Sequence, residues 1–264
     1  MKKIILGIVL VVVLVSGLLL PGCIRRDLSE NNGPITTQTY DYKDFTGVDI
    51  GSALKLEVTA GDTYSVTITA GKNLLDRIRV VKSGDILKIY TEGWSLSWWW
   101  GSYTPKVTIT MPVLKTLYLS GASSGTVTGF KSDNGLMMTV SGASSLNLDM
   151  DTGLFKADIS GASSVKGRLT ATDSDMVLSG ASNLDLTGSG GDITLRCSGA
   201  SSAGLRYFKT DNADVALSGA SNGSIDVSGR LDVNLSGASD LNYYGNPTIG
   251  NSTVTGASDL RKKS

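Results

Sequence analysis

The sequence predicts an all-β fold, a parallel β-helix (solenoid) with coils of about 19 residues, on three observations. The first is a repeated tetrapeptide. Ser-Gly-Ala-Ser begins at Ser120, Ser141, Ser160, Ser179, Ser198, Ser218 and Ser236, and Thr255-Gly-Ala-Ser is the eighth copy. Successive copies start 21, 19, 19, 19, 20, 18 and 19 residues apart, and a near-constant period of this length marks a stacked repeat. The second is the apolar flank. The residue before each copy is Leu119, Val140, Ile159, Leu178, Cys197, Leu217, Leu235 or Val254. Two residues earlier stand Leu117, Met138, Ala157, Met176, Leu195, Val215 and Val233, with Ser252 as the exception. Mostly polar residues such as Tyr118, Thr139, Asp158, Arg196 and Asn234 lie between these rows, and alternation of period two is a half-buried strand. The third is that alternation resumes after the corner, in Leu146-Asn-Leu148, Leu184-Asp-Leu186, Ile225-Asp-Val227 and Leu241-Asn-Tyr243.

Each period therefore reads as strand, small-residue corner, strand, turn. One such unit cannot bury its apolar face alone. Stacked units can, because every strand pairs with its counterpart about 4.8 Å away in the next coil. Eight coils make a rod about 40 Å long. The corner glycines, Gly121, Gly142, Gly161, Gly180, Gly199, Gly219, Gly237 and Gly256, permit the positive φ of a tight bend. The alanine methyl is expected to fit where the corner leaves room for little else. The serine hydroxyls can bond adjacent backbone or the serine one coil away. The other reading of the repeat is an exposed hydroxyl ladder fitted to a regular surface, such as a glycan or ice.

Ahead of the repeats, the chain divides into three parts. Residues 1–22 carry Lys2 and Lys3, then an apolar run from Ile4 to Leu20, ending in Leu20-Pro21-Gly22-Cys23. This resembles a bacterial lipoprotein signal peptide with its lipobox, which implies lipidation of Cys23 and attachment of the protein to a membrane. An uncleaved anchor is the alternative, since about 17 apolar residues reach the lower bound for a bilayer span. Both readings put the bulk of the chain outside the cytoplasm, held at the cell membrane or outer membrane. Residues 23–39 lack periodicity and read as a flexible tether.

Residues 40–264 form the β-helix domain, with non-repeat strands over 40–115 and repeats over 116–258. Strands are expected at Leu54–Val58, Tyr64–Ile68, Ile86–Tyr90 and Val107–Met111, separated by the turn signals Ala60-Gly-Asp62 and Lys82-Ser-Gly-Asp85. Asn73–Val81 fits a short helix and extended chain equally. These elements should continue or cap the solenoid, whose open end exposes a sheet edge. The charged Asp259–Ser264 suits edge protection at the other end.

Several spaced motifs together resemble the putative auto-transporter adhesin, head GIN domain family. They are Phe45-Thr-Gly-Val-Asp-Ile-Gly-Ser-Ala53, Ala60-Gly-Asp62, Asn73-Leu-Leu75, Gly84-Asp-Ile-Leu-Lys-Ile89, Pro112-Val-Leu-Lys-Thr-Leu117 and Gly245-Asn-Pro247, in family order over residues 40–262. The repeats depart from the family in reading Ser-Gly-Ala-Ser where Ser-Gly-Ala-Gly followed by an acidic residue is frequent. The resemblance implies a right-handed β-helix in a secreted or surface protein and brings no catalytic residues.

Composition narrows the function. Histidine is absent, which removes imidazole bases, Ser-His-Asp triads and His-rich metal sites. Two cysteines cannot form a four-cysteine zinc site. Without residues 1–22 the chain carries 22 Lys and Arg against 24 Asp and Glu, so no basic footprint for nucleic acid exists. Cys197 occupies the inward row and reads as a small core hydrophobe. The carboxylates Asp149, Asp185, Asp226 and Asp240 are scattered over different rows, which does not make the acid–base cluster of a polysaccharide lyase. Gly190-Gly-Asp192 occurs once, without tandem calcium-binding spacing.

One segment stands outside the pattern. All four tryptophans, Trp94, Trp98, Trp99 and Trp100, lie in Gly93–Tyr103, which ends in a further aromatic, Tyr103. Tryptophan faces stack on sugars and sit at membrane interfaces; capping of the solenoid is the plain structural alternative. The expectation is a membrane-anchored, cofactor-free, non-enzymatic adhesin or surface-binding protein whose partner is a glycan or a surface protein. A structural or sensory envelope module that binds a partner protein is the alternative.

Overall fold

The computed structural model describes residues 33–93 and 103–264, which belong to one unit, Asn32–Ser264. Alternating side chains split every coil between two sheets that face each other across the apolar rows. The described chain begins with β1 (Ile35–Tyr40), β2 (Gly47–Ile50), β3 (Lys55–Ala60) and β4 (Ser65–Gly71); β1 pairs with β4 along its length, so Ile35–Thr39, read from the sequence as the end of a tether, belong to the sheet. A one-turn helix α1 (Lys72–Leu75) then leads to β5 (Ile78–Ser83), β6 (Ile86–Thr91) and β7 (Lys106–Met111). The ambiguous stretch 73–81 is thus helix at its start and strand at its end. Leu74 and Leu75 are buried on the helix and Ile78 on the strand, so tertiary burial decides between two locally equal conformations.

The repeats supply paired strands: β8 (Thr116–Leu119) and β9 (Ser124–Lys131), β10 (Leu136–Val140) and β11 (Ser145–Thr152), β12 (Phe155–Ile159) and β13 (Ser164–Ala171), β14 (Ser174–Leu178) and β15 (Asn183–Ser189). They continue as β16 (Ile193–Cys197) and β17 (Ser202–Thr210), β18 (Ala213–Leu217) and β19 (Asn222–Val227), β20 (Arg230–Leu235) and β21 (Asp240–Gly245), β22 (Thr248–Val254) and β23 (Asp259–Lys262). One sheet runs β1-β4-β7-β3-β9-β11-β13-β15-β17-β19-β21-β23, and the other β22-β20-β18-β16-β14-β12-β10-β8-β2-β6-β5. The protein is therefore a β-solenoid with coils of about 19 residues.

Two features extend the expected eight-coil rod. β2 and β3 add a coil directly beside β8 and β9, and β6 and β7 add another beyond it, all in parallel register. Past these, β4 pairs antiparallel with β7, β1 with β4, and β5 with β6. The longer sheet has 12 strands, so the stack runs about 50 Å rather than 40 Å. Crossing from β4 to β5 takes α1 over the end of the stack, where Leu74, Leu75 and Ile78 join the core.

The apolar rows behave as expected. Leu119, Val140, Ile159, Leu178, Leu217 and Leu235 are at most 1% exposed, and Cys197 only 2%. Val254, in the last coil, remains partly exposed. Burial pushes the Cys197 thiol up to about 12, so it is a packed neutral group and not a thiolate nucleophile.

The corners contain one correction. Each repeat glycine has φ between +67° and +80°, but the following alanine is exposed rather than confined. The constrained residue is the last serine of the motif. Ser123, Ser144, Ser163, Ser182, Ser201, Ser221 and Ser239 are at most 2% exposed. Their hydroxyls turn inward and back. Ser182, Ser201, Ser221 and Ser239 donate to the carbonyl three residues earlier at 2.7–2.9 Å. The amides of Ser123 and Ser144 donate to the hydroxyl of the next coil's serine at 3.3 and 3.4 Å. A buried hydroxyl needs such partners, so the repeat carries an internal hydroxyl ladder, not an exposed one.

Candidate functional site

Coil corners connect β2 to β3, β8 to β9, and so on down the stack, forming one row. Because β6 pairs with β2 and β7 with β3, the end of β6 and the start of β7 stand on the corner side, one coil beyond β2 and β3. In sequence, the tryptophan segment joins these two ends, where the repeat coils carry a tetrapeptide. Trp94, Trp98, Trp99 and Trp100 lie outside the described residues, as does Cys23; Tyr103 is described and half-buried. Both ends of the segment are held. The Glu92 amide donates to Arg77 O at 3.0 Å, the Arg79 guanidinium pairs with Glu92 at 2.9 Å, and Pro105 O accepts from the Lys55 amide at 2.9 Å.

The neighbouring corner is unusual. Gly51-Ser-Ala-Leu54 takes the place of the tetrapeptide, with Ser52 at φ +65° and Ala53 at φ +58°, and Ala122 one coil along is at φ +65°. Non-glycine residues held this way cost about 1–3 kcal/mol each, and such strain concentrates at functional sites. Ser52 Oγ accepts from the amide of Thr91, two residues before Gly93, at 3.3 Å.

Below this corner, on the outer face of the sheet carrying β6, β2, β8 and β10, the register aligns Lys88, Asp49, Tyr118 and Thr139 side by side. With Ser120 and Ser141 they line a polar cleft of about 360 Å³. Burial raises the Asp49 carboxyl above its ordinary value, partly offset by the Lys88 ammonium. The cleft thus gathers a carboxylate, an ammonium, a phenol and aliphatic hydroxyls, a mixed donor and acceptor set suited to a polyhydroxylated ligand.

The eight corner glycines stand at exposed bends along the row. The outward row Tyr118, Thr139, Asp158, Val177, Arg196, Ala216, Asn234 and Thr253 is in register across the sheet. Asp149 does not stand alone: Arg168 bridges it and Asp151 at 2.6 and 3.0 Å. Desolvation alone would raise the Asp151 carboxyl, but hydrogen bonds from Arg168 and Thr170 and the charges of Arg168 and Lys131 together hold it below its ordinary value. Asp192 accepts from Asn212 at 2.8 Å while its amide donates to Asp173 at 2.9 Å, a hydrogen-bonded turn ladder. Among the described residues no three His, Cys, Asp or Glu side chains gather as a metal site, and no helix is long and apolar enough to cross a membrane.

Sequence reasoning found the tryptophan segment but not the cleft. Asp49, Lys88 and Tyr118 are far apart in sequence and meet only because β2 is inserted between β6 and β8.

Fold and cleft define a β-solenoid with a hydrogen-bonding outer face. Residues 44–247 match the family described as "Putative auto-transporter adhesin, head GIN domain", and the chain belongs to that family. Family membership places it among surface or extracytoplasmic adhesin-type proteins. No curated protein matches the sequence. Similar solved structures are a "putative adhesin" from Parabacteroides merdae (TM-score 0.79, 14% identity, covering 88% of this chain and 98% of that one) and another from Parabacteroides distasonis with the same values. A "putative lipid binding protein" from Parabacteroides distasonis follows at TM-score 0.75 and 17% identity, with 88% and 98% covered. At these identities the likeness is one of fold.

Proposed function

We propose that the protein is a lipid-anchored envelope adhesin that binds a surface glycan without catalysis, through the tryptophan segment and the Asp49–Lys88–Tyr118 cleft. The observation that carries this reading is the polar cleft of Asp49, Lys88 and Tyr118, beside β6, whose connection to β7 carries all four tryptophans in sequence. The strained Ser52–Ala53 bend accepts from the Thr91 amide just before that connection, and Leu74, Leu75 and Ile78 are buried in the core. Aromatic faces beside mixed hydrogen-bonding groups suit a sugar, whose ring stacks while its hydroxyls bond. The Lys2-Lys3 start, the apolar run and Gly22-Cys23 support lipid anchoring and a place outside the cytoplasm.

Replacing Trp98, Trp99 and Trp100 together by Ser is expected to abolish attachment to glycan-coated surfaces while the Tm moves by less than about 2 °C. Retained attachment with a Tm lowered by more than about 5 °C would make the segment a cap and refute the reading. For the anchor, Cys23→Ala should eliminate incorporation of labelled fatty acid and leave residues 1–22 uncleaved. Unchanged labelling would contradict lipidation at Cys23.

A further inference from the structure

The spacing between Ser198 and Ser218 is 20 residues, and the structure shows what the irregularity does. β17 is nine residues long, the longest strand among the described residues. Its pairing with β19 jumps from Leu205↔Ile225 to Lys209↔Asp226, so Arg206, Tyr207 and Phe208 bulge out of register. Bulges re-aim side chains. Here Phe208 turns fully inward, whereas Arg206 and Tyr207 both point out.

The projected pair makes a platform. The Arg206 guanidinium carbon lies 5.3 Å from the Tyr207 ring centroid and 4.6 Å from that of Tyr244, on β21 two strands away. Tyr207 is 66% exposed, more than any other exposed large apolar side chain described. Five other arginines of the described surface behave differently. Arg79, Arg168, Arg196, Arg230 and Arg261 each pair with a carboxylate within 4.0 Å, whereas Arg206 is held by two rings and makes no ion pair among the described residues. Asp226 on the intervening strand is in register with Tyr244 and makes no ion pair with Arg206 within 4.0 Å. Its Oδ1 instead sits 3.0 Å from where a Cβ on Gly245 would lie.

We infer that this platform is a second binding site, distinct from the corner cleft, and that it takes an acidic saccharide bearing a carboxylate. The guanidinium offers its fork to the carboxylate, a planar match that an ammonium cannot reproduce. The rings fix its orientation in advance through cation–π contact, so little side-chain entropy is lost on binding. The open face of Tyr207 stacks on the C–H face of the sugar ring. A neutral sugar would use the rings and leave the cation without its counter-charge.

The test measures binding of the whole chain to three probes, oligogalacturonate, hyaluronan oligosaccharide and sialyllactose, with methyl-esterified oligogalacturonate as the uncharged control of the same ring. At least one acidic probe should bind, with the ester weaker by about 10- to 100-fold. Arg206→Gln and Tyr207→Ser should each weaken the acidic probe by about tenfold or more with the Tm unchanged. The triple tryptophan variant should bind it normally, which separates this site from the corner cleft. The proposal is overturned if none of the three probes binds, if the ester binds equally, or if either platform variant keeps full affinity. A poly-glutamate peptide bound as tightly, with the same dependence on Arg206, would show a general anion site and overturn the saccharide assignment.

Discussion

Gly180→Ala is expected to destabilise the solenoid by about 2–4 kcal/mol, far more than an alanine on an exposed bend normally would. Gly180 has φ +74°, and a Cβ there would lie 2.5 Å from the carbonyl oxygen of Gly161. That oxygen accepts the Ala181 amide at 2.8 Å, so backbone of the adjacent coil has no freedom to move aside. The substitution therefore combines left-handed strain with damage to a backbone hydrogen bond. Ala181→Ser, at the neighbouring exposed position, is the control and should stay within about 0.5 kcal/mol. Urea denaturation of both variants checks the pair. Equal effects at the two sites would mean that the corner does not require glycine.

Phe208→Ala should cost about 3–5 kcal/mol. Phe208 is 0% exposed and anchors the β17 bulge from the inside. Its ring reaches under the adjacent turn, with Cε1 3.1 Å from the point where a Cβ on Gly190 would sit. Truncation leaves a ring-sized void in a close-packed row, and a coil held by backbone ladders on both sides cannot collapse to fill it. Tyr207→Ser, one residue away but facing solvent, should change stability by less than about 0.5 kcal/mol. If Phe208→Ala cost under about 1 kcal/mol, the bulge would not be seated in the core as described.

The sequence carried the repeat half of the molecule well because one residue type per position reports one environment there. Leu119 through Leu235 alternate with outward residues, and the tetrapeptide marks each bend, so strands, corners and inward rows could be read directly. Within the motif the roles of alanine and serine were less legible. Both are small, and only the coil geometry shows that the alanine faces out while the last serine turns its hydroxyl into the core. In residues 40–115 the strands β3, β4, β6 and β7 were legible, but β2 was not, β5 was left open between helix and strand, and the order of all of them was hidden. Without a repeat to set the register, nothing local tells that β2 and β3 lie against β8 and β9 and push β6 and β7 outward. The cleft at Asp49, Lys88 and Tyr118 is a consequence of that insertion, and so it escaped a linear reading. The β17 platform did leave a trace in the 20-residue spacing, although the spacing alone could not say which side chains the extra chain would expose.

The central claim is that the tetrapeptide is a stacking device and not an exposed binding ladder. It rests on the amides of Ala162, Ala181, Ala200, Ala220, Ala238 and Ala257, which donate to the glycine carbonyl one coil back at 2.7–2.8 Å. Their side chains are exposed, so sequence-based intuition would have these amides exchange with solvent like those of a loop. Amide hydrogen exchange decides between the two. The amides of Ala181, Ala200 and Ala220 should exchange within about tenfold of buried strand amides such as those of Leu195 and Leu217. Exchange of these alanine amides at the rate of an unfolded chain, with the strands still protected, would contradict the account.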